Sequence, residues 1–344
     1  ISGIIVLGSI CFLVYVYIKF DKERKPLFKD KIYRELPSTC GPAEMVYLVN
    51  EKELNQDALN GELLELIRLK YIILDTNGSS SKDKKANYIL RRDISKDINE
   101  LSESRKQLIS LYFDTISNGK THVSFDEIDA YMKKEENALE YNKLVLSWEE
   151  TVKEEAEKNE WFDEIEKPKP LIIAIYFLIV LGFVALIFAL NKGLSSVVTI
   201  LLSLVIGISL FGAMYYQTIE RKSEKGIEEY TKWMAFKTFL KEFSNFKDSS
   251  IDDIDKWGEY MVYASAFGIS ELVEKQLRVK YKNFKHIEGN DYNPIFYFHT
   301  CYYLSFRMDH SREIGTHTIA SSHSSSSGGG GSSFGGGGSG GSFR

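Results

Sequence analysis

Three stretches of the chain are almost purely apolar: residues 1–18, 171–190 and 194–216. The last two contain no Asp, Glu, Lys or Arg, and only Asn191, Lys192 and Gly193 separate them. At about 1.5 Å rise per residue, roughly twenty helical residues cross the roughly 30 Å hydrocarbon core of a bilayer. The pattern therefore predicts a membrane helical hairpin, 171–190 and 194–216, preceded by a first transmembrane helix over 1–20. The opening run lacks a basic leader and a small-residue cleavage site, so it does not read as a signal peptide. Lys19, Lys22, Arg24, Lys25, Lys29 and Lys31 follow it as a stop-transfer flank. A chain that opens in an apolar run is expected to be the C-terminal portion of a longer protein.

Between the apolar runs the periodicity changes. Pro42 suits the first turn of a helix whose Met45, Leu48 and Val49 share one face. A second helix is expected from about 58 to 69, with Leu59, Leu63, Leu66 and Ile67 as its stripe. Residues 71–74 and 87–90 read as two strands joined by a long polar loop. Two helices and a β-hairpin outline a winged-helix-like domain over 21–120. Ser124 and Glu127 form a capping box that starts a helix. From there to about 162 the chain has no Pro or Gly, so 121–169 is expected to be one long helix or a close-set pair. Lys167-Pro-Lys-Pro170 ends it.

After the hairpin, 217–310 reads as an aromatic-rich helical bundle. Its first helix is expected to continue straight out of the membrane, and Ile227, Tyr230, Met234, Phe236, Phe239, Leu240 and Phe243 form a wide stripe on it. A second helix spans about 251–267, with Gly268 as its C-terminal cap, and a third spans 271–282. Trp233, Phe236, Phe239, Trp257, Tyr260 and Tyr263 exceed what a bundle of this length readily hides. Docking of 217–310 on 21–169 is the expected outlet for that surface. From Ser321 the chain is almost wholly Ser and Gly, and 311–344 is expected to be a disordered, low-complexity tail.

Charge sets the orientation. Lys and Arg gather after the first apolar run, before 171 and after 216, while the hairpin turn carries only Lys192. By the positive-inside bias, residue 1 is expected outside the cell membrane, with 21–169 and 217–344 cytoplasmic. The absence of ionisable residues within the hairpin argues against a transporter or channel built from this chain alone. Ala185 and Ala189, like Ser203 and Gly207, are four apart and allow close helix approach, chiefly within the hairpin. A homo-oligomer is the lesser use of the same surface.

The formal net charge is −5, and the winged-helix-like helices carry Glu44, Glu51, Glu53, Asp57, Glu62 and Glu65. A duplex reader needs a basic face, so nucleic acid is not an expected partner. Lys82, Lys84 and Lys85 read as a solvated loop. Glu149, Glu150, Glu154, Glu155 and Glu157 read as a solvated helix face. His286, His299, Cys301, Asp309, His310, His317 and His323 offer ligand types at no zinc spacing, in a stretch expected to be weakly ordered. Cys11, Cys40 and Cys301 imply no disulfide, and Cys40 lacks a nearby His and acid. Phe343-Arg344 is at most a docking end. No phosphate loop, nucleophile elbow, zinc-protease motif or dinucleotide fingerprint is present. No catalytic, cofactor-binding or metal residues are therefore assigned, and no cofactor is expected.

The run Leu36-Pro-Ser-Thr-Cys-Gly-Pro-Ala-Glu-Met-Val-Tyr-Leu48, with Leu63-Leu-Glu-Leu-Ile-Arg-Leu-Lys-Tyr-Ile72, resembles the domain of unknown function 2207 family. These are the YciQ-like predicted membrane proteins of bacteria. Residues 226–244 and 257–269 are similar to the family's segments after its hairpin, and the Gly/Ser-rich end fits as well. The resemblance implies an extracytoplasmic β-rich domain upstream, one helix, a cytoplasmic domain, a hairpin and a cytoplasmic tail. It carries over no active site. The fold class expected is mainly α, a multi-pass membrane protein with three transmembrane helices, a small α+β winged-helix-like domain and a C-terminal helical bundle. The function expected is a membrane-anchored scaffold or signal relay, with the lipid bilayer and other proteins as partners. The second reading is an accessory subunit or a membrane enzyme with a dispersed site.

Overall fold

The computed structural model describes residues 2–75, 87–164, 169–193, 196–243, 254–280 and 294–326. The chain is mainly helical with one small antiparallel sheet. It divides into two compact units, Ile1–Leu54 with Lys153–Glu242, and Asn55–Val152 with Phe243–Arg344. Each unit draws on chain from both sides of the apolar hairpin.

In the first unit, α1 (Ser2–Val16) runs into a π-helical turn, Tyr17–Asp21. It packs against α8 (Ser196–Thr218), which also packs along α7 (Lys169–Asn191). Within α8, Ser196–Tyr216 is a stretch of 21 residues with mean hydropathy 2.5, long and apolar enough to cross a membrane. Ile179–Phe188 is a shorter apolar stretch. Close approach falls at glycines other than the expected one. A Cβ on Gly182 would lie 2.9 Å from Ile206, and one on Gly212 would lie 2.8 Å from Leu13, whereas Gly207 faces open space. Val16, Phe20, Ile179, Tyr216 and Ile219 form a buried cluster at one end, with Phe20 and Tyr216 edge to face at 5.6 Å.

Beyond this cluster lie α2 (Pro42–Val49) and α9 (Glu224–Glu242). Pro42 opens α2, and the Gly41 N–H donates to the Glu44 carboxylate at 2.7 Å, satisfying a donor at the helix start. Met45, Val46 and Leu48 of α2 are buried where it packs on α9, whose Trp233, Phe236 and Leu240 are also buried. The expected continuous exit from the membrane does not form. The chain breaks between Thr218 and Glu224, and α9 starts afresh because the Ser223 hydroxyl accepts the Gly226 N–H at 3.0 Å.

In the second unit, α3 (Gln56–Arg68) is capped by the Asn55 side chain, which accepts the Ala58 N–H. Strands β1 (Ile72–Asp75), β2 (Ile89–Arg92) and β3 (His122–Ser124) pair antiparallel in that order. Leu90 lies opposite both Leu74 and Val123, and Ile72, Leu90 and Val123 are buried. β3 is too short to show alternation and was not expected. The loop lysines 82, 84 and 85 lie outside the described residues. After α4 (Glu103–Ser110) and a buried π-helical turn, Leu111–Ile116, the Ser124 capping box forms as read and opens α5 (Phe125–Met132). The close-set pair is completed by α6 (Glu135–Glu157), whose last turn belongs to the first unit.

α10 (Ile254–Ala266), α11 (Ser270–Lys280) and α12 (Pro294–Ser326) pack on one another and on the helices that precede the hairpin. α10 packs on α3, and α12 packs on α5, α3, α10 and α11. Gly268 ends α10 with φ +67°, the left-handed conformation that favours glycine. α12 also corrects the expected tail, since 311–326 is helical. Side chains hold it: Ser311 donates to Asp129 at 2.5 Å, Thr316 and Thr318 donate to carbonyls four residues back, and Gly315 packs on Met132. Isolated Ser and Thr are tolerated in a helix whose face is buried; only the denser Ser/Gly sequence beyond 326 lies outside the described residues.

Candidate functional site

A polar network of the first unit joins three connections to the apolar helices. They are the chain leaving α1 (21–24), the chain approaching α7 (160–163) and the chain leaving α8 (219–225). Phe162 and Lys222 form an isolated antiparallel bridge, flanked by Asp163 N–H donating to the Arg221 carbonyl and Ser223 N–H to the Trp161 carbonyl, each at 2.8 Å. The Asp163 carboxylate accepts from Arg24 at 2.9 Å and from Arg221 at 2.8 Å. One carboxylate thereby ties together all three connections.

Lys222 is 3% exposed. Its ammonium donates to Glu51 at 2.8 Å and to Glu23 at 3.2 Å, and lies over the Tyr230 ring at 4.7 Å. Burial works against its charge, but the Glu51 hydrogen bond and the attraction of Glu23 and Glu51 outweigh it, so its pKa is raised. Lys52 adds an ion pair to Glu220 at 2.7 Å, binding α2 to the same strand. Gly226 meets this strand closely enough that a Cβ would sit 1.9 Å from the Trp161 carbonyl oxygen. The Glu228 carboxylate accepts the N–H groups of Leu27 and Phe28, fixing the chain beyond 24.

Beside this clasp lies a recess of about 780 Å³. Tyr47, Trp161 and Phe162 supply aromatic wall, and Glu157, Glu160, Glu164 and Glu224 supply carboxylates at its rim. Tyr47 and Phe162 meet edge to face at 5.7 Å. Tyr47 is 1% exposed, and its hydroxyl has no hydrogen-bond partner among the described residues. Its pKa is raised above the usual phenol value, first by burial and then by Glu157 and Glu220.

The residues singled out for chemistry are not brought together. Cys301 is buried within α12, and Asp309 is engaged by Asn60 and Arg312. His310 and His317 are exposed, and the side chains of His286, His299 and His323 lie outside the described residues. From Pro294 to Ser326 this stretch is helix rather than the loose segment expected. Cys40 is buried and accepts from the Ser38 hydroxyl at 3.3 Å. Among the described residues no group of three or more His, Cys, Asp or Glu is placed to hold a metal ion. The clasp itself escaped the sequence reading: Arg24, Arg221 and Lys222 counted there only as orientation signals. The available signal was the acid beside each basic flank, at Glu23, Asp163 and Glu220.

No curated protein and no solved structure matches the chain. A family profile described as "Predicted membrane protein (DUF2207) C-terminal domain" matches residues 29–277. That span takes in α2 to α10 and most of α11, including the hairpin and most of the clasp, and with the apolar stretch Ser196–Tyr216 it fits a membrane location. The chain belongs to the DUF2207 family of predicted membrane proteins, whose function is unknown.

Proposed function

We propose that this protein is a three-span, membrane-anchored scaffold or signal relay that acts through contacts with other proteins. In this reading 1–20, 171–190 and 194–216 cross the cell membrane, residue 1 lies outside, and 21–169 and 217–344 are cytoplasmic. The observation that carries it is the Asp163–Arg24–Arg221 clasp with its buried Lys222. A flexible linker would absorb a displacement of α1, whereas a clasp that joins all three connections passes it to α2 and α9. Coupling of this kind needs a packed element that moves as one body.

Nucleic acid is not among the proposed partners. Residues 58–66 of α3 are buried on all sides, and Glu62 and Glu65 are paired with Arg105 and Arg68, so that helix offers no free face for a groove. The winged-helix-like outline then serves protein contacts.

The test is made in intact membranes. Reporter fusions after Lys25, within 191–193 and after Lys225 should read inside, outside and inside. Crosslinking of the full chain followed by mass spectrometry should recover a defined partner, and Asp163→Ala should reduce its yield. An active extracytoplasmic reporter at Lys25, or partner capture unchanged by Asp163→Ala, would sink the reading.

A further inference from the structure

The chain that leaves α1 is pinned to α9 at two points beyond Arg24. The Leu27 and Phe28 N–H groups donate to the Glu228 carboxylate, and the Tyr33 N–H donates to the Ala235 carbonyl at 3.4 Å. Phe28 meets Tyr33 edge to face at 5.6 Å between the two ties. This strap turns an apolar side chain outward. Leu27 is 87% exposed although its backbone is held. On either side of it in the chain, Lys22, Lys25, Lys29 and Lys31 are exposed, and none has an ion pair among the described residues. Glu23 is taken by the buried Lys222, so Asp30 alone stands against four lysines.

One exposed leucine is ordinary on a protein surface, and lysines that only mark orientation need no fixed backbone. A leucine held outward among unpaired lysines is a different kind of surface, with an apolar centre and a basic rim. We propose that the strap 22–31 docks on a bilayer surface of anionic phospholipids, with Leu27 inserted among the headgroups and the four lysines on their phosphates.

Charge and position choose this partner. A neutral lipid would take Leu27 and leave the lysines unmatched, whereas basic segments beside a membrane helix are drawn to anionic lipid. Apolar insertion and basic contact together strengthen binding to such a surface. Leu27 lies six residues past Asp21, where the helical turn that continues α1 ends. At about 3.3–3.6 Å per residue it stays within roughly 20 Å of that end. An acidic protein would match the lysines too, but a bilayer already lies within that reach. This docking rests on the reading that 1–20 cross the membrane, and adds to it the class of lipid recognised.

The test places the full chain in nanodiscs of phosphatidylcholine and phosphatidylglycerol in equal amounts, extracts it gently, and weighs the retained lipids by mass spectrometry. Phosphatidylglycerol should be enriched about fivefold, the preference of a headgroup gaining about one basic contact. At about 1 M salt, where screening acts within about 3 Å, the enrichment should vanish. Lys25→Gln, Lys29→Gln and Lys31→Gln combined should abolish it, and Leu27→Ser should lower it without removing it. None of these side chains belongs to the clasp, so the variants should unfold at the parent's temperature in phosphatidylcholine discs. A chain that stays out of the discs overturns both the docking and the reading beneath it. A chain that enters them without preferring phosphatidylglycerol overturns the docking alone. So does an enrichment that persists in the lysine variant, or one that Leu27→Ser leaves at the parent level.

Discussion

Gly226 and Trp161 approach so closely that a Cβ on the glycine would stand 1.9 Å from the tryptophan carbonyl oxygen. The obstacle is backbone rather than a side chain that can swing away. Gly226→Ala should therefore push α9 off the strand carrying Trp161, at a cost of about 2–3 kcal/mol. Gly207→Ala, where nothing lies within 4 Å, is the matched control and should be neutral or slightly stabilising. Thermal unfolding in one detergent compares the two, and equal effects would count against the packing described.

Lys222→Met keeps most of the buried stem and removes the charge between Glu23 and Glu51. It should destabilise the first unit by about 2–3 kcal/mol through loss of charge-assisted hydrogen bonds. Because the Lys222 pKa is raised on folding, its contribution is complete below the ordinary lysine value of about 10.4. It is lost as pH rises through the higher folded value. The parent should thus weaken in alkali more steeply than Lys222→Met, as read by stability between neutral pH and pH values above that range.

Arg307 of α12 is 6% exposed and pairs with Asp129 of α5 at 2.8 Å, while stacking over Phe125. Asp129→Ala leaves a buried guanidinium without this partner and should cost about 3–5 kcal/mol. Ser311→Ala removes only one hydrogen bond to the same carboxylate and should cost about 1 kcal/mol. Hydrogen exchange of α12 should follow that ranking.

Ser124→Ala should cost about 1 kcal/mol by stripping the cap of α5. The Glu127 pKa is lowered, chiefly by the Ser124 backbone N–H that its carboxylate accepts, with Lys120 and the Ser124 hydroxyl adding to it. Its contribution is present above the ordinary carboxyl value of about 4.3 and lost as pH falls through the lower folded value. Glu127→Gln should therefore flatten part of the acid limb of the stability profile.

Local signals survive from sequence to fold wherever a few neighbouring residues decide the outcome. Pro42 at the start of α2, the Ser124–Glu127 box and Gly268 at the end of α10 each act within one turn, and each was legible. The β-hairpin was legible because apolar strands flank a polar loop. The clasp was not, because Asp163 and Arg24 are 139 residues apart and nothing in either neighbourhood names the other. α12 was misread because Ser, Thr and His look like loop residues until their burial against α5 and α3 is known. Its Arg307, Ser311 and Arg312 are polar residues on the packed face, which breaks the apolar periodicity that normally marks a helix.

The pairing of α3 with α10 and of Asn60 with Asp309, 249 positions later, bears on the order in which this protein can be made. The ribosome releases Asn55–Val152 well before it has synthesised the segment that covers α3. The apolar hairpin emerges in between, ahead of α10 and α12. Until then α3 packs only on β1 and α4 and lacks the cover that α10 and α12 provide, and apolar surface exposed in such an intermediate is prone to aggregate. Premature chain termination anywhere between the hairpin and α12 should accordingly leave a species with α3 partly uncovered that is cleared by proteolysis rather than a smaller working protein.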